Sequence, residues 1–297
     1  MYYSLNKYLK KEYGEKVWKV PVDAGFSCPN KTVSSGGDGC IYCDTSSFTH
    51  AEAGGIAEQV GKRIEKLRRR KIHKFIIYFQ SGTNTYGDTE TVKSRINSAL
   101  IDGDIVGIHI GTRPDCVDEK ILDFLCRLNE KYDVTIEYGL QSSKNTTLKF
   151  INRGHTAEEF ARACQRTKAK GISVCAHVIL GLPGEIRRDM IETAEFVAEL
   201  GIDSIKFHHL QILKDTKLAG LYREEKFRLL SEEEYIDILS QCLTRLHPDV
   251  VISRLIGDSP KELLIAPEWP SSKTEFINKL NIFMEKNNLY QGKLYTG

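Results

Sequence analysis

The stretch IVGIHIGTR, residues 105–113, alternates branched apolar residues with small or polar ones. Because successive side chains of a strand point to opposite faces, this pattern predicts a strand with one apolar and one polar face. The same alternation recurs in three later stretches. The polar sets are Gly107, His109, Gly111 and Arg113; Glu137, Gly139 and Gln141; Ser173, Cys175 and His177; and Ser204, Lys206 and His208. A closed barrel fills its interior with branched apolar side chains, so these sets predict an open barrel holding a polar ligand, unless some of them face solvent.

The chain alternates predicted strands with predicted helices, which indicates an α/β fold with a parallel sheet and right-handed crossovers. We predict a partial (β/α)6 TIM-like barrel with a C-terminal helical extension; a doubly wound open sheet is the alternative. The core is expected in residues 1–255, including an N-terminal lead-in, and the extension in residues 256–297. The predicted strands are 17–24, 75–80, 105–111, 134–140, 172–180 and 202–210, with a seventh in 250–256.

Composition excludes several classes of protein. The chain has 297 residues, of which 41% are hydrophobic, and this content is ordinary for a globular protein. Its formal net charge is only +2, so the protein as a whole does not carry the positive charge expected of a polyanion-binding protein. It has no apolar run of the ~18 residues that a membrane span needs, and its first residues lack the apolar segment of a signal peptide. We therefore expect a cytoplasmic protein without membrane contact, whose eight cysteines are reduced thiols, metal ligands or core residues.

Three of these cysteines lie in one glycine- and serine-rich loop, AGFSCPNKTVSSGGDGCIYCDTSSF, residues 24–48. Cys40 and Cys43 form a tight CxxC pair, and the longer loop can return Cys28 to the same metal ion or cluster. Three ligands leave one coordination position open, which suits chemistry. The alternatives are a Cys3His zinc site that uses His50, a thioredoxin-like CxxC motif, and unrelated core cysteines.

Six motifs in order resemble a known family. They are GFSCPN…GGDGCIYC, FQSGTNTY, GTRPDC, EYGLQS, INRGHT and GLPGE, each at or just beyond the end of a predicted strand. The sequence resembles radical S-adenosylmethionine (SAM) enzymes of the branch that contains the Elongator catalytic subunit, and it is most similar to the short free-standing bacterial members. The resemblance implies a barrel of the radical SAM type. Eleven residues separate Cys28 from Cys40, where three are commonest in the family, so the loop has a different shape.

The resemblance also implies the cofactors. A [4Fe-4S] cluster would be held at three irons by Cys28, Cys40 and Cys43, and the amino and carboxylate groups of SAM would bind the fourth. One electron, from a donor such as flavodoxin or ferredoxin, would break the sulfonium bond. The products would be methionine and a 5′-deoxyadenosyl radical that removes a substrate hydrogen.

Further site residues follow from the same resemblance. Tyr42 matches an aromatic position near the adenine of SAM, although ordinary loop packing is an equal alternative. Arg113 is a candidate for binding a carboxylate or phosphate, with an ion pair to Asp115 or Glu137 as the alternative. The family contacts the methionine moiety at Gln80, Ser81, Gly82, Thr83 and Asn84, where the common Gly-Gly-Glu version is absent. Candidates for the ribose or amino acid moiety are Glu137, Gln141 and Ser142. Candidates for touching substrate, against a structural hydrogen-bonding role, are Lys206, His177 and His208.

The resemblance implies tRNA as substrate. The chain lacks the acetyltransferase-like domain that accompanies the Elongator subunit, and it shares RLIGDSP…LLIAPEW, residues 254–269, with the short bacterial members. The implied reaction converts carboxymethylaminomethyl to aminomethyl at C5 of a wobble uridine, and a methyltransferase acts next. A basic run in residues 62–74 is either a phosphate-binding patch or a solvated helix face. The alternatives are a radical SAM enzyme for a small molecule or protein, and a non-catalytic, zinc-stabilised RNA-binding module.

Overall fold

The protein is built on one parallel sheet whose strands follow one another in chain order. The computed structural model describes residues 1–31, 37, 39–44 and 51–296. Its strands are β1 (Val17–Val22), β2 (Lys74–Phe79), β3 (Ile105–Thr112), β4 (Asp133–Gln141), β5 (Ser173–Leu180), β6 (Ser204–His209), β7 (Ile212–Leu213), β8 (Val251–Arg254) and β9 (Leu264–Ala266). Strands β1 to β6 and then β8 form the seven-stranded sheet, whereas β7 and β9 form a separate antiparallel pair. Because the order never reverses, the sheet is not doubly wound.

The sheet is curved into a half-barrel. Strand β6 lies four positions from β2 in the strand order, which is about 19 Å along a flat sheet. Nevertheless, Nζ of Lys206 on β6 donates a hydrogen bond of 2.8 Å to the hydroxyl oxygen of Tyr78 on β2. Two side chains can meet across this distance only if the sheet bends towards the face that carries them. The predicted partial barrel is therefore confirmed, and the seventh strand predicted in 250–256 is present as β8.

Helices cover the apolar face of the sheet. They are α1 (Leu5–Tyr13), α2 (Ile56–Arg68), α3 (Thr89–Asn97), α4 (Glu119–Asn129), α5 (Asn145–Phe150), α6 (Ala157–Ala169), α7 (Arg187–Glu199), α8 (Lys217–Arg223), α9 (Glu232–Arg245) and α10 (Lys273–Lys286). Ile108 and Ile110 of β3 share one buried cluster with Leu122 of α4 and Phe160 of α6. Capping boxes at Thr156 and at Ser272 begin α6 and α10. None of the helices in the described residues is long and apolar enough to cross a membrane.

The elements that sequence periodicity did not predict are short. Helix α1 buries only Leu9, α5 buries two residues, and α8 also buries two. The pair β7–β9 joins strands of two and three residues that are far apart in the chain. A repeat of apolar residues needs several turns or several strand positions to be visible, so such elements leave no pattern to detect.

The segment after β8 packs onto the barrel through aromatic rings. Trp269 stacks on His209 of β6 with ring centroids 4.2 Å apart, and it stacks on Phe276 of α10 at 6.0 Å. The hydroxyl group of Tyr235 on α9 donates a hydrogen bond of 2.7 Å to the carbonyl oxygen of Leu255. These contacts fix the segment beside the end of β6. A boundary near residue 255 stays a prediction.

Truncating the ring at the centre of this packing should loosen the C-terminal segment. Trp269→Ala removes the stacking on both His209 and Phe276, so we expect a loss of about 2–3 kcal/mol in the free energy of unfolding. Urea denaturation followed by circular dichroism measures it. Ile282→Ala, on the same helix as Phe276 but 64% exposed, should change the stability by no more than about 0.5 kcal/mol. Equal effects of the two substitutions would contradict this packing role.

Candidate active site

A cavity of about 220 Å³ opens at the carboxyl-terminal edge of the sheet, where the strand ends and the described part of the cysteine loop meet. In barrels of parallel strands this edge is where active sites are built. The structure brings most of the predicted site residues to its wall. They are Cys28, Cys40, Tyr42, Cys43, Gln80, Gly82, Thr83, Arg113, Glu137, Gln141, His177 and His208. Residues 32–36, 38 and 45–50 of the predicted loop, including the zinc candidate His50, lie outside the described residues.

Four predicted site residues are not among the described residues that line the cavity: Ser81, Asn84, Ser142 and Lys206. The side-chain amide of Asn84 donates to the carbonyl oxygens of Gly111 at 2.8 Å and of Phe79 at 3.2 Å, which joins the ends of β2 and β3. The hydroxyl group of Ser142 donates to Glu185, and its oxygen accepts the backbone N–H of Lys144 at 3.0 Å. The observed contacts of Asn84 and Ser142 are therefore with the protein itself, and contact of either with a cofactor stays a prediction.

The cysteine loop is held in place by the segment Ile151–Gly154, which belongs to the motif INRGHT. The side-chain amide of Asn30 donates to the carbonyl oxygens of Asn152 at 2.8 Å and Arg153 at 2.9 Å. In return, the side-chain amide of Asn152 donates to the carbonyl oxygen of Gly39 at 2.7 Å. The backbone N–H of Cys43 donates to the carbonyl oxygen of Cys40 at 3.0 Å, which closes the CxxC turn. Hydrogen bonds from side-chain amides to backbone carbonyl oxygens thus fix the described part of the loop, in which Pro29–Lys31 form a short 3-10 helix.

Arg153 is a site residue that sequence reasoning missed. It is 7% exposed, and its guanidinium donates to the carbonyl oxygen of Gly139 through Nε at 3.1 Å and Nη2 at 2.6 Å. Its Nη1 lies 3.7 Å from Sγ of Cys40. A cation beside a cysteine favours the thiolate, which is the form that binds metal. The motif INRGHT could have drawn attention to it, but only the fold brings it 3.7 Å from a cysteine sulfur atom that is 113 positions away.

Two glycines make this arrangement possible. A Cβ on Gly139 would lie 2.4 Å from Nη2 of Arg153, so any side chain there would displace the guanidinium. A Cβ on Gly82 would lie 2.2 Å from the carbonyl oxygen of Phe26, and Gly82 also has a φ of +74°, which favours glycine. The backbone N–H of Thr83 then donates to the carbonyl oxygen of Ser27 at 3.1 Å. The loop after β2 therefore packs directly against the residues that precede Cys28.

Arg113 forms the ion pair that was the alternative to ligand binding. Its Nε and Nη2 donate to the two carboxylate oxygens of Asp115 at 2.9 and 2.7 Å, and Nη2 also donates to the carbonyl oxygen of Gly154 at 2.8 Å. Its Nη1 is buried and has no hydrogen-bond partner among the described residues. Buried polar atoms are nearly always hydrogen-bonded, so this unsatisfied donor at the cavity wall points to a ligand acceptor.

Glu137, at the base of the cavity, is contacted by side chains from four other strands. Its carboxylate accepts hydrogen bonds from Nζ of Lys19 at 3.1 Å and from Nζ of Lys206, and it contacts His109 and His177, each at 2.8 Å. Burial alone would raise the pKa of Glu137, but the two ammonium groups and the histidine hydrogen bonds hold it well below the usual value. Glu137 is therefore ionised, and both of its oxygens are already occupied.

The histidines around this carboxylate are neutral. Burial lowers the pKa of His109 and of His177 to about 4, and burial together with Arg254 lowers the pKa of His208 well below its usual value. Lys206 is 3% exposed, and its Nζ is shared between Glu137 and Tyr78. Of the three predicted substrate contacts, His177 and His208 line the cavity. Lys206 is not among the described residues that line it and instead contacts Glu137 and Tyr78.

Comparisons with known proteins identify the family. A family model described as the Radical SAM superfamily matches residues 34–197, and a Radical SAM C-terminal domain matches residues 202–286. The chain belongs to the radical SAM superfamily. It is 36% identical to YtqA of Bacillus subtilis over 99% of this chain and 92% of that protein, and 37% identical to MJ0486 of Methanocaldococcus jannaschii over 96% and 89%.

The Elongator-like branch of the radical SAM superfamily is also supported. A tRNA uridine(34) acetyltransferase of Methanocaldococcus infernus is 28% identical over 62% of this chain and 34% of that protein. The fold is similar to that of the solved Elp3 of Methanocaldococcus infernus, with a TM-score of 0.71 and 22% identity over 93% of this chain and 64% of that chain. The chain is thus a radical SAM enzyme of the Elp3-like branch, as its motifs predicted.

Radical SAM enzymes use a [4Fe-4S] cluster and SAM, and the described residues fit both. Three cysteines face one cavity, which matches the thiolate chemistry of an iron–sulfur cluster. Gly82 and Thr83 line the same cavity, and the loop that carries them packs on the backbone of Phe26 and Ser27, next to Cys28. The unsatisfied Nη1 of Arg113 offers a donor to a polar cofactor.

Removing the charge of Glu137 should destabilise the barrel. Glu137→Gln leaves two buried ammonium groups without a carboxylate, so we expect a loss of about 3–5 kcal/mol in the free energy of unfolding. Guanidinium denaturation at neutral pH measures it. Glu130→Gln, at an exposed helix end, is the matched control and should change stability by less than about 0.5 kcal/mol. A loss below 1 kcal/mol for Glu137→Gln would show that the network is not a stabilising element.

Proposed function

We propose that the chain modifies the C5 substituent of the wobble uridine of tRNA, converting carboxymethylaminomethyl to aminomethyl. Loss of a hydrogen atom, a proton and one further electron, which the oxidised electron donor takes up, would turn the bond between the nitrogen and the carboxymethyl carbon into an imine. Hydrolysis of this imine would leave the aminomethyl group and release the two carbons as glyoxylate. The single observation that carries the radical chemistry is the cavity in which three cysteines meet the ends of the parallel strands. Cys28, Cys40 and Cys43 are the proposed ligands of three irons. When bound, the reduced cluster and SAM supply a 5′-deoxyadenosyl radical that removes a hydrogen atom from the substrate.

The residues beside the cysteines are the proposed SAM contacts. Tyr42, Gln80, Gly82 and Thr83 all line the cavity, on the loop and strand end nearest to Cys28. Gln141 lines it as well and has a φ of +77°, an uncommon conformation for a residue with a Cβ. Strained backbone of this kind concentrates at ligand sites, which supports a role for Gln141 in holding SAM. These residues orient the cofactor and exclude water from the reaction.

The tRNA substrate is supported by relatives. The name of the archaeal relative specifies uridine 34 of tRNA, and this chain aligns with 187 of its residues. A small-molecule or protein substrate is the alternative, and the zinc-stabilised RNA-binding module is excluded by membership of an enzyme family. We further propose an electron donor such as flavodoxin or ferredoxin, a methyltransferase that acts next, and a cytoplasmic location.

The basic run in residues 62–74 gives little support to RNA binding, because acidic side chains pair with six of its eight lysines and arginines. Lys62 pairs with Glu58 at 2.5 Å on α2, and Arg69 pairs with Glu65 at 2.5 Å. The other ion pairs of the run are Arg63 and Lys66 with Glu52, Arg68 with Asp102 and Asp104, and Lys74 with Glu15. These contacts favour the solvated helix face over the phosphate-binding patch.

A substitution beside the cysteines tests the cluster site without removing a ligand. Gly139→Ala places a Cβ against Arg153 and should move its guanidinium away from Cys40. Because supporting residues of metal ligands contribute about 10-fold or more to metal affinity, the reconstituted variant should lose iron to a chelator about 10-fold faster. Gly220→Ala, with no heavy atom within 4 Å of the added Cβ, is the matched control and should lose iron at the wild-type rate. Equal rates in both variants would contradict the support that Arg153 gives to Cys40.

Loss of a cysteine ligand should abolish SAM cleavage. Anaerobically reconstituted Cys40→Ala should release no 5′-deoxyadenosine with SAM and dithionite. Cys126→Ala should behave like the wild type, since Cys126 packs at the edge of the core, donates to the carbonyl oxygen of Lys170 at 3.4 Å and is not among the described residues that line the cavity. Mass spectrometry of tRNA nucleosides from a deletion strain tests the substrate separately. Carboxymethylaminomethyl-uridine should accumulate in the tRNA of the deletion strain. Wobble nucleosides that are unchanged in this strain would contradict the tRNA substrate but not the radical chemistry.

A further inference from the structure

Arg254 occupies a distinct place in the cavity. It is the last residue of β8, the edge strand of the sheet, and it pairs in register with Lys206 of β6. Its side chain lines the cavity together with Tyr78, His177 and His208. Like charges on directly paired positions of neighbouring strands are unfavourable, so the sheet alone gives no reason for an arginine beside a lysine.

No acidic group is left to neutralise Arg254. Glu137 is the only acid among the described residues that line the cavity, and its oxygens already contact two lysines and two histidines. The nearest acid along the chain, Asp258, is exposed and faces Lys273 at 3.8 Å. The backbone of Arg254 is paired with β6, but its side chain forms no hydrogen bond or ion pair with any residue in the described part of the chain.

The other arginines that line the cavity are engaged elsewhere. Arg113 pairs with Asp115, and Arg153 binds the carbonyl oxygen of Gly139 beside Cys40. Both therefore belong to the side of the cavity where the cysteines lie. Arg254 is on the opposite side, where its charge acts on His177, His208 and Tyr78. The histidines are neutral, so they can donate or accept hydrogen bonds but do not supply a counter-charge.

Hydrogen bonds hold the backbone next to Arg254 in place. The carbonyl oxygen of Leu255 accepts the hydroxyl group of Tyr235 at 2.7 Å, and the backbone N–H of Gly257 donates to His209 at 3.3 Å. A further hydrogen bond of 2.8 Å joins Ser259 to Gln211, and both residues line the cavity. A half-buried guanidinium on a fixed strand end is preorganised to receive a planar anion through two parallel hydrogen bonds.

We propose that Arg254 binds the carboxylate of the substrate's carboxymethylaminomethyl group and so determines which wobble uridines are accepted. The inference rests on the proposed function. The carboxylate supplies the missing counter-charge, and its position opposite the cysteines leaves the side near Cys28, Cys40 and Cys43 to SAM. No bond is made or broken by Arg254; it positions the substituent so that a hydrogen next to the carboxylate faces the cofactor.

The test uses the full-length, anaerobically reconstituted protein and two anticodon stem-loops. One carries carboxymethylaminomethyl-uridine at the wobble position, and the other carries its neutral carboxamide counterpart. The wild type should bind the carboxylate form about 10- to 100-fold more tightly, since a hydrogen bond between charged groups contributes this much. Arg254→Gln should bind both forms alike, and Arg254→Lys should keep part of the preference. Arg188→Gln, an exposed arginine of α7 with an 81% accessible side chain, is the matched control and should bind like the wild type.

The outcomes separate the two proposals. Cluster content and SAM affinity of Arg254→Gln should equal those of the wild type; a weakened SAM affinity instead would assign Arg254 to the cofactor and overturn the inference. A carboxylate preference that Arg254→Gln retains would also overturn it, while leaving the tRNA reaction in place. A wild type that binds neither stem-loop and forms no aminomethyl-uridine would refute the proposed function and the inference together.

Discussion

One buried carboxylate organises the interior of this half-barrel. Glu137 of β4 is 1% exposed and is contacted by Lys19 of β1, His109 of β3, His177 of β5 and Lys206 of β6. An isolated charge in such a place would cost several kcal/mol, so the carboxylate and its cations are stable only together. Because these partners come from strands on both sides of β4, their meeting requires the curvature that also forms the cavity.

Two groups of polar side chains line opposite sides of the cavity. The cysteines, Arg153 and Arg113 lie on one side, where Arg153 binds the carbonyl oxygen of Gly139 and Arg113 pairs with Asp115 but keeps Nη1 without a partner in the described residues. Arg254 and His208 lie on the other, next to His177, which belongs to the network of Glu137. This separation suits an enzyme in which a cofactor generates a radical on one side and a substrate presents a hydrogen atom from the other, because each ligand then meets its own set of polar groups.

The alternation of residues predicted the fold and the general character of the site. In IVGIHIGTR and the three similar stretches, the polar positions His109, Glu137, His177 and Lys206 do face one interior, as expected from the two-residue repeat of a strand. The pairings themselves could not be predicted, since Lys206 and Tyr78 are 128 positions apart and meet only because the sheet bends. Both Gln141 and Asn84 follow predicted strands. The sequence could not show that Gln141 lines the cavity whereas Asn84 hydrogen-bonds to the ends of β2 and β3. Arg153 lay inside a recognised motif, but its proximity to Cys40 depends on the folded loop.

The C-terminal segment suggests how the barrel shared by radical SAM enzymes can be made selective for one substrate. A radical must be shielded from solvent and from every hydrogen atom except the intended one, so the wall opposite the cofactor has to be both closed and specific. Here that wall is β8 and the residues that follow it, fixed by the stacking of Trp269 on His209 and by the hydrogen bond from Tyr235 to Leu255. The same segment that closes the wall places Arg254 in the cavity without a protein counter-charge. On the proposed function, this one element supplies both the shielding of the radical and the selectivity for the substrate.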